Sequence, residues 1–210
     1  MHRIAFTLHL LARSMRWVAP AIVFLVACGL VLADPGPLRS SSASLFPVQA
    51  VVLCWLTIAI GNVDDDGHRE LCTAEAGSPA RLLVVRSTSA LALAVVLAVV
   101  VTVGLAIVTP GPRSSITDLG AVLVVPLAGG VLGIGIGGLL HRPIVRHLGL
   151  TVVAALGALV VTITTGPTTG LLHDVTAGHV TAAYELLAAT AVVGVTLTAI
   201  GAGLVGRFAR

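Results

Sequence analysis

The sequence predicts an all-α integral membrane protein with six transmembrane helices. The 210 residues are 57% hydrophobic and only 10% charged, the mean hydropathy is +1.07, and the apolar residues form six long runs. A soluble domain carries about a quarter charged residues, so this chain has too few to cover a globule. The length is that of one folded unit, a single transmembrane domain over residues 1–210.

Each apolar run is long enough to cross a bilayer as a helix. A transmembrane helix needs about 20 mostly apolar residues, with a range of about 17–25. The runs are bounded by breakers such as "DPGP" from Asp34 and "TGPTTG" from Thr165. They do not alternate in polarity as the strands of a membrane barrel do. The predicted spans are 17–33, 45–63, 88–108, 119–140, 148–165 and 180–205.

Residues 1–16 are too short and too polar to form a span. Ile4, Leu8, Leu11 and Met15 recur at helical spacing on one face, which predicts an amphipathic helix lying in the membrane interface. A frayed terminus is the alternative. The residues predicted to anchor the chain at the membrane surface, here and at the start of the third span, are Arg13, Arg16, Trp17, Arg81 and Arg86.

The distribution of arginine predicts how the chain is oriented. Six spans place both termini and two loops on one side, and that side holds ten of the twelve arginines. Only Arg39 and Arg113 lie on the other side. Because cytoplasmic loops carry the excess of basic residues, both termini are predicted to be cytoplasmic. The arginines flank apolar runs instead of forming one basic face, so no nucleic-acid partner is expected.

The segment 64–86, between the second and third spans, is the one long charged stretch. It begins with three aspartates that suit the start of a short helix over 67–76. Gly77 supplies a position that ends this helix, and Ser78 followed by Pro79 supplies the cap and first turn of the next one. The pattern predicts a rigid cytoplasmic knob. A solvated loop that only connects two spans is the alternative.

This layout resembles a known family. The interfacial helix, the six spans and the inner segment "D-D-x-x-R-E-x-x-x-A-x-A-G-S-x-x-R-x-x-x-x-R" resemble the small membrane subunits of type-2 ABC exporters, particularly the compact permeases of actinobacteria. The resemblance implies that the inner segment is a coupling helix that docks on a separate ATPase subunit. The docking residues implied in this way are His68, Arg69, Glu70, Leu71 and Glu75.

The resemblance also implies an assembly and a location. Two permease chains, identical or different, would associate with two ATPase subunits in a bacterial plasma membrane as a multi-pass complex. The family has short re-entrant helices on the outer side between the last two spans. The corresponding stretch here, 166–179, is short and rather polar, and Leu171, Leu172 and Val175 are its candidates for one turn that dips into the membrane.

Two glycine patterns bear on function in different ways. The chain contains no lysine, so a P-loop is excluded, and the protein is expected not to be an enzyme by itself. "GIGIGG" at 133–138 fits the dinucleotide fingerprint, but it lies inside a span with no acidic residue about 20 positions on. Gly129, Gly133 and Gly137 instead predict close packing against another helix, in this chain or in a second copy.

The predicted outer side holds the remaining candidates. Tyr184 and Glu185 lie about one turn into the last span and predict either a vestibule for a cationic group or a contact with lipid headgroups. His173, Asp174 and His179 have no recognisable ligand spacing, so no metal or other cofactor is expected. Asp174 is interpreted as the N-cap of a turn before the last span.

Together with these patterns, the resemblance implies a permease subunit of an ATP-driven exporter. The apolar spans suggest a hydrophobic or amphipathic cargo such as a drug, a lipid or a secondary metabolite, moved by alternating access. The alternative is a membrane scaffold or accessory subunit that holds partners through the glycine stripe and the cytoplasmic knob. The third interpretation is a carrier driven by an ion gradient, which the scarcity of carboxylates within the spans disfavours.

Overall fold

The protein is all-α. The computed structural model describes residues 2–34, 36–62, 72–74, 77–109, 116–140, 148–164 and 166–208. Residues 72–74 are helical. The delimited helices are α1 (His2–Arg13), α2 (Val18–Ala33), α3 (Leu38–Gly61), α4 (Pro79–Val108), α5 (Ile116–Leu140), α6 (Leu148–Thr164), α7 (Gly166–Ala177) and α8 (Val180–Phe208).

Four of these helices are long and apolar enough to cross a membrane individually, namely α3, α4, α5 and α8. Two bent pairs bring the number of candidate spans to six, with an angle of 89° between α1 and α2 and of 54° between α6 and α7. By itself α2 has 16 residues, a length of about 24 Å at 1.5 Å per residue. The hydrocarbon core is about 30 Å thick, so α2 alone is shorter than a full span.

Helix α3 begins seven residues before the predicted second span, which started at 45. The reason is local, because the serines that made this stretch look polar satisfy their hydroxyls inside the helix. The Ser42 hydroxyl donates to the Arg39 carbonyl at 3.0 Å, and the Ser44 hydroxyl donates to the Ser40 carbonyl at 3.1 Å. Serine hydroxyls bonded in this way carry little penalty in an apolar environment.

The start of α4 agrees with the capping pattern. Gly77 has a φ of +78°, the left-handed conformation that glycine adopts without steric cost. Ser78 is extended, and its side chain accepts a hydrogen bond from the Arg81 amide at 3.2 Å. The Ser78 cap is therefore confirmed, whereas most of the predicted helix over 67–76 lies outside the described residues.

The stretch 166–179, predicted to be a loop, contains the helix α7. Val175 is buried, and Leu171 and Leu172 pack against the same core cluster. The burial of these apolar side chains stabilises a helix here, although the polar composition of the stretch had predicted a loop. The helix ends at Gly178, where the His179 amide donates to the Asp174 carbonyl at 3.0 Å. Asp174 therefore lies inside α7, and its interpretation as an N-cap was wrong.

Helix α5 lies at the centre of the described bundle. Its contact with α3 is the most extensive of any pair of described helices, and its contact with α8 is the next. Helix α4 packs on both α3 and α5. Helix α2 packs mainly on α3 and only slightly on α4. The core is thus a tight α3–α5–α8 unit, with α1 and α2 attached along one side.

Candidate functional site

The glycine stripe of α5 faces α3 of the same chain. A Cβ added at Gly129 would lie 2.2 Å from the Phe46 carbonyl oxygen, and one at Gly133 would lie 2.2 Å from the Ala50 carbonyl oxygen. At Gly137 the added Cβ would lie 2.6 Å from a carbonyl oxygen of α3. These distances leave no room for any side chain, so the two backbones touch along three turns.

A second glycine surface on α5 packs against α8. A Cβ added at Gly135 would lie 2.6 Å from the Gly194 Cα, and one at Gly201 would lie 3.2 Å from the Gly138 carbonyl oxygen. Of the two glycine surfaces, only the one formed by Gly129, Gly133 and Gly137 was predicted from the sequence. The spacing of seven between Gly194 and Gly201, which places both on one helix face, was the signal for the second.

An arginine joins the end of α3 to the beginning of α4. The Arg86 side chain is buried, and its guanidinium donates to the Gly61 carbonyl oxygen at 3.1 Å. This carbonyl is one of the last in α3, where helices leave carbonyls unpaired and where the dipole favours a cation. Arg86 lies about two turns into α4 and thus ties the body of α4 to the end of α3.

A second arginine reaches the same point from the turn between α1 and α2. The Arg16 guanidinium donates to the Asn62 carbonyl oxygen. We call Arg16, Gly61, Asn62 and Arg86 the junction. Two cationic side chains therefore bind carbonyl oxygens at the C-terminal end of α3. The turn after α1 is held at this point, directly before the segment 64–86 begins.

The turn itself depends on an unusual backbone conformation. Met15 has a φ of 55°, the positive-φ non-glycine residue of the described chain, and such a conformation costs about 1–3 kcal/mol. Neighbouring contacts hold it in place, because the Ser14 hydroxyl donates to the Leu11 carbonyl and the Trp17 indole N–H donates to the Ala12 carbonyl at 3.1 Å. Methionine has no preference for this conformation, so it could not be predicted from the residue type.

The implied ATPase-docking residues are not among the residues that the structure describes. His68, Arg69, Glu70, Leu71 and Glu75 all lie outside the described ranges. The structure does place both ends of the stretch that carries them, since α3 ends at Gly61 before it and α4 begins at Pro79 after it. Of the other predicted anchors, Arg13, Trp17 and Arg81 are exposed, whereas Arg86 is buried.

The opposite end of the bundle has its own ion pair. Arg39 at the start of α3 pairs with Asp118 in the first turn of α5. The Arg39 guanidinium also lies close to Gly178, at the turn between α7 and α8. Tyr184 and Glu185, on the next turns of α8, are both exposed. The Tyr184 hydroxyl lies 3.1 Å from the Cβ position of Gly120, so Tyr184 packs beside α5.

The largest uncharged polar side chain that is fully buried in the described bundle is Gln49. The Gln49 amide nitrogen donates to the Ala94 carbonyl at 3.1 Å and so links α3 to α4. Its oxygen has no hydrogen-bond partner among the described residues. Among the described residues, the buried side chain that carries a charge is Arg86, and no buried side chain is a carboxylate.

An apolar cleft lies between α1 and α2 on one side and α3 and α4 on the other. Its volume is about 450 Å³, and all of its lining side chains are apolar. Helix α1 contributes Leu8 and Leu11, α2 contributes Ala21, α3 contributes Val52, and α4 contributes Val100. The cleft exists because α2 leans on α3 without closing against α4.

The described residues contain no group of three or more His, Cys, Asp or Glu side chains placed to hold a metal ion. Comparison with known proteins adds no family: no protein-family model, no curated protein and no solved structure matches this chain. The findings therefore show a multi-pass helical membrane protein with four to six candidate spans.

Proposed function

We propose that this chain is the permease subunit of an ATP-driven exporter, in which a separate ATPase subunit acts on the segment 64–86. The chain lacks lysine and therefore a P-loop, so the energy source of such an exporter lies in a partner. Two permease chains and two ATPase subunits form the proposed assembly, which moves a hydrophobic or amphipathic cargo across a bacterial plasma membrane.

The observation that carries this proposal is the junction. A force applied to the segment 64–86 reaches α3 and α4 together, because Arg86 links the end of one helix to the body of the other. Helix α3 is in turn packed backbone to backbone on α5. Packed interfaces of this kind move as rigid bodies instead of deforming continuously. The segment is thus attached to the central helices of the bundle, as a lever requires.

The structure also bears on the alternatives. A scaffold that held its partners through Gly129, Gly133 and Gly137 would need this face to be free, yet α3 covers it. A proton-driven carrier would need titratable groups inside the bundle, and the described core has no buried carboxylate. Both observations support the exporter over its rivals.

A charge swap at Arg69→Glu and Glu70→Arg tests the proposal. The tagged chain, expressed in its native host and purified in a gentle detergent, is expected to carry an ATPase activity that a transported cargo stimulates. The swap should abolish this stimulation, because the proposal assigns both charges to the contact with the ATPase, while insertion and yield stay normal. Stimulation that survives the swap, or a purified chain without ATPase activity, would refute the coupling mechanism.

A matched swap on the predicted outer side controls for a general effect of charge. Arg113→Glu combined with Asp174→Arg exchanges one base and one acid in the same manner, and Asp174 is exposed. This variant is expected to keep its stimulated ATP hydrolysis. Equal loss in both variants would show that the effect does not pass through the segment 64–86.

A further inference from the structure

We infer that the apolar cleft binds one acyl chain of an anionic phospholipid taken from the surrounding bilayer, with the headgroup held beside Arg13 and Arg16. This inference goes beyond the proposed function and holds whether or not an ATPase drives the chain. It rests on the lining, the opening and the charge of the cleft.

The lining suits a hydrocarbon chain and nothing polar. The cavity of about 450 Å³ is lined by apolar side chains alone, and it falls within the range of about 300–1,000 Å³ that is usual for ligand sites. The one lining residue with a polar atom in its side chain is Trp17, and its indole N–H already donates to the Ala12 carbonyl. A peptide or a sugar would leave its polar groups without partners here.

The cleft opens sideways between α2 and α4. Leu25, Val96 and Val100 line it and are each more than half exposed. Helix α4 is a candidate span, and α2 is part of one. Their exposed apolar side chains therefore contact the hydrocarbon region of the bilayer. A lipid therefore reaches the cleft by lateral diffusion, with its chain already desolvated.

The other end of the cleft is closed by α1 and carries positive charge. Helix α1 crosses α2 at 89°, and its buried residue Leu11 forms part of the lining. Arg13 and Arg16 are both exposed and directly adjoin the lining residues Ala12 and Trp17. Arg13 makes no hydrogen bond or ion pair to the part of the chain that is described here. A phosphate or glycerophosphate headgroup above the cleft would pair with it.

No described carboxylate competes for these arginines at that end. The described acidic residues are Asp34 at the far end of α2, Asp118 beside Arg39, and Asp174 and Glu185 around the α7–α8 turn near Arg39. They lie at the opposite end of the bundle. The other five acidic residues, Asp64, Asp65, Asp66, Glu70 and Glu75, lie outside the described residues, so the experiment uses the full chain.

Quenching of tryptophan fluorescence by brominated lipid tests the inference directly. The chain has two tryptophans: Trp17 lines the cleft, and Trp55 is exposed elsewhere on α3. Trp55→Phe leaves Trp17 as the reporter of the cleft, and Trp17→Phe leaves Trp55 as the reporter of bulk lipid. In nanodiscs of phosphatidylcholine with a minor fraction of brominated phosphatidylglycerol, Trp17 should be quenched several-fold more than Trp55.

Two pairs of variants identify the site. Ala21→Phe fills the cleft and should remove the excess quenching, whereas Ala19→Phe adds the same ring to the exposed, non-lining position two residues earlier and should not. Arg13→Gln should weaken the preference for phosphatidylglycerol on the order of fivefold. If Ala21→Phe fails to fold, Val96→Phe fills the cleft from α4, and the thermal unfolding midpoint in detergent reports whether each variant folds.

Several results would overturn the inference. Equal quenching of the two tryptophans, or excess quenching that survives both filling variants, would show that no chain enters the cleft. If brominated phosphatidylcholine quenched Trp17 as strongly as brominated phosphatidylglycerol does, the cleft would not select an anionic headgroup. Release of a bound hydrophobic molecule other than a phospholipid from the purified protein would assign the cleft to a different ligand.

Discussion

Single glycines determine how closely the central helices approach. At Gly133 an added Cβ would lie 2.2 Å from the Ala50 carbonyl oxygen and 2.9 Å from the Cys54 amide nitrogen. Both neighbours are backbone atoms of α3, so neither can rotate away as a side chain would. The only relief is to push the two helices apart, which breaks the packing on both sides of the site.

We therefore expect Gly133→Ala to destabilise the protein by about 1–3 kcal/mol. The matched control is Gly104→Ala in α4, where an added Cβ meets nothing within 4 Å and where alanine favours the helix by up to about 1 kcal/mol. Thermal unfolding in one detergent compares the two variants. Equal midpoints would show that the close α3–α5 contact does not contribute to stability.

The structure shows what the spacing of these glycines left open. The interval of four between Gly129, Gly133 and Gly137 indicated a close approach, but it did not identify the partner helix. That information depends on which carbonyls lie opposite, here those of Phe46 and Ala50, and so on the tertiary fold. The same holds for Met15, whose left-handed backbone follows from its neighbours and not from its own side chain.

At the scale of helices, features set by neighbouring residues could be predicted from the sequence. The burial of side chains against distant parts of the chain could not. The Ser78 cap and the positive φ of Gly77 follow from the residues themselves, because each interacts within one turn. The early start of α3 also has a local cause, the hydrogen bonds of Ser42 and Ser44 within the helix, whereas the helix α7 depends on partners elsewhere in the chain. Val175, for example, is buried in a core cluster that also contains Phe46 and Leu132. The residues next to Val175 in the sequence do not predict this burial.

The junction gives a prediction about the ends of α3 and α4. Arg86→Gln removes a charge-assisted hydrogen bond from a buried position and should cost about 1.5–3 kcal/mol. Arg81→Gln, on an exposed side chain of the same helix, should change stability by less than about 0.5 kcal/mol. Faster amide hydrogen exchange over residues 58–62 in the first variant alone would be the expected signature. Unchanged exchange would mean that Arg86 does not hold the end of α3.

On the scale of the whole molecule, charged groups divide between two ends. The junction and the α1–α2 turn occupy one end, and the Arg39–Asp118 pair with the α7–α8 turn occupies the other. The arginine distribution predicts that the junction end is cytoplasmic. An apolar bundle with its charge at both ends is the arrangement that a bilayer requires, because ionised groups within hydrocarbon are costly.

Labelling with a membrane-impermeant maleimide tests this orientation. Cys28 and Cys54 lie within α2 and α3, and Cys72 lies in the segment 64–86. The unaltered chain should therefore react through Cys72, and only when the reagent reaches the cytoplasmic side. The variant Cys72→Ser with Ala177→Cys moves the thiol to the exposed end of α7 and should react from outside. Labelling of both chains from the same side would contradict the predicted topology.

Native mass spectrometry of the complex extracted from its own membrane tests the central claim, that a separate motor acts on this bundle. The proposed assembly predicts an ATP-binding subunit in two copies, associated with two permease chains and dissociated by the swap Arg69→Glu with Glu70→Arg. A chain that leaves the membrane in mild detergents without any nucleotide-binding subunit, while cargo transport continues in vesicles made from it alone, would contradict the claim.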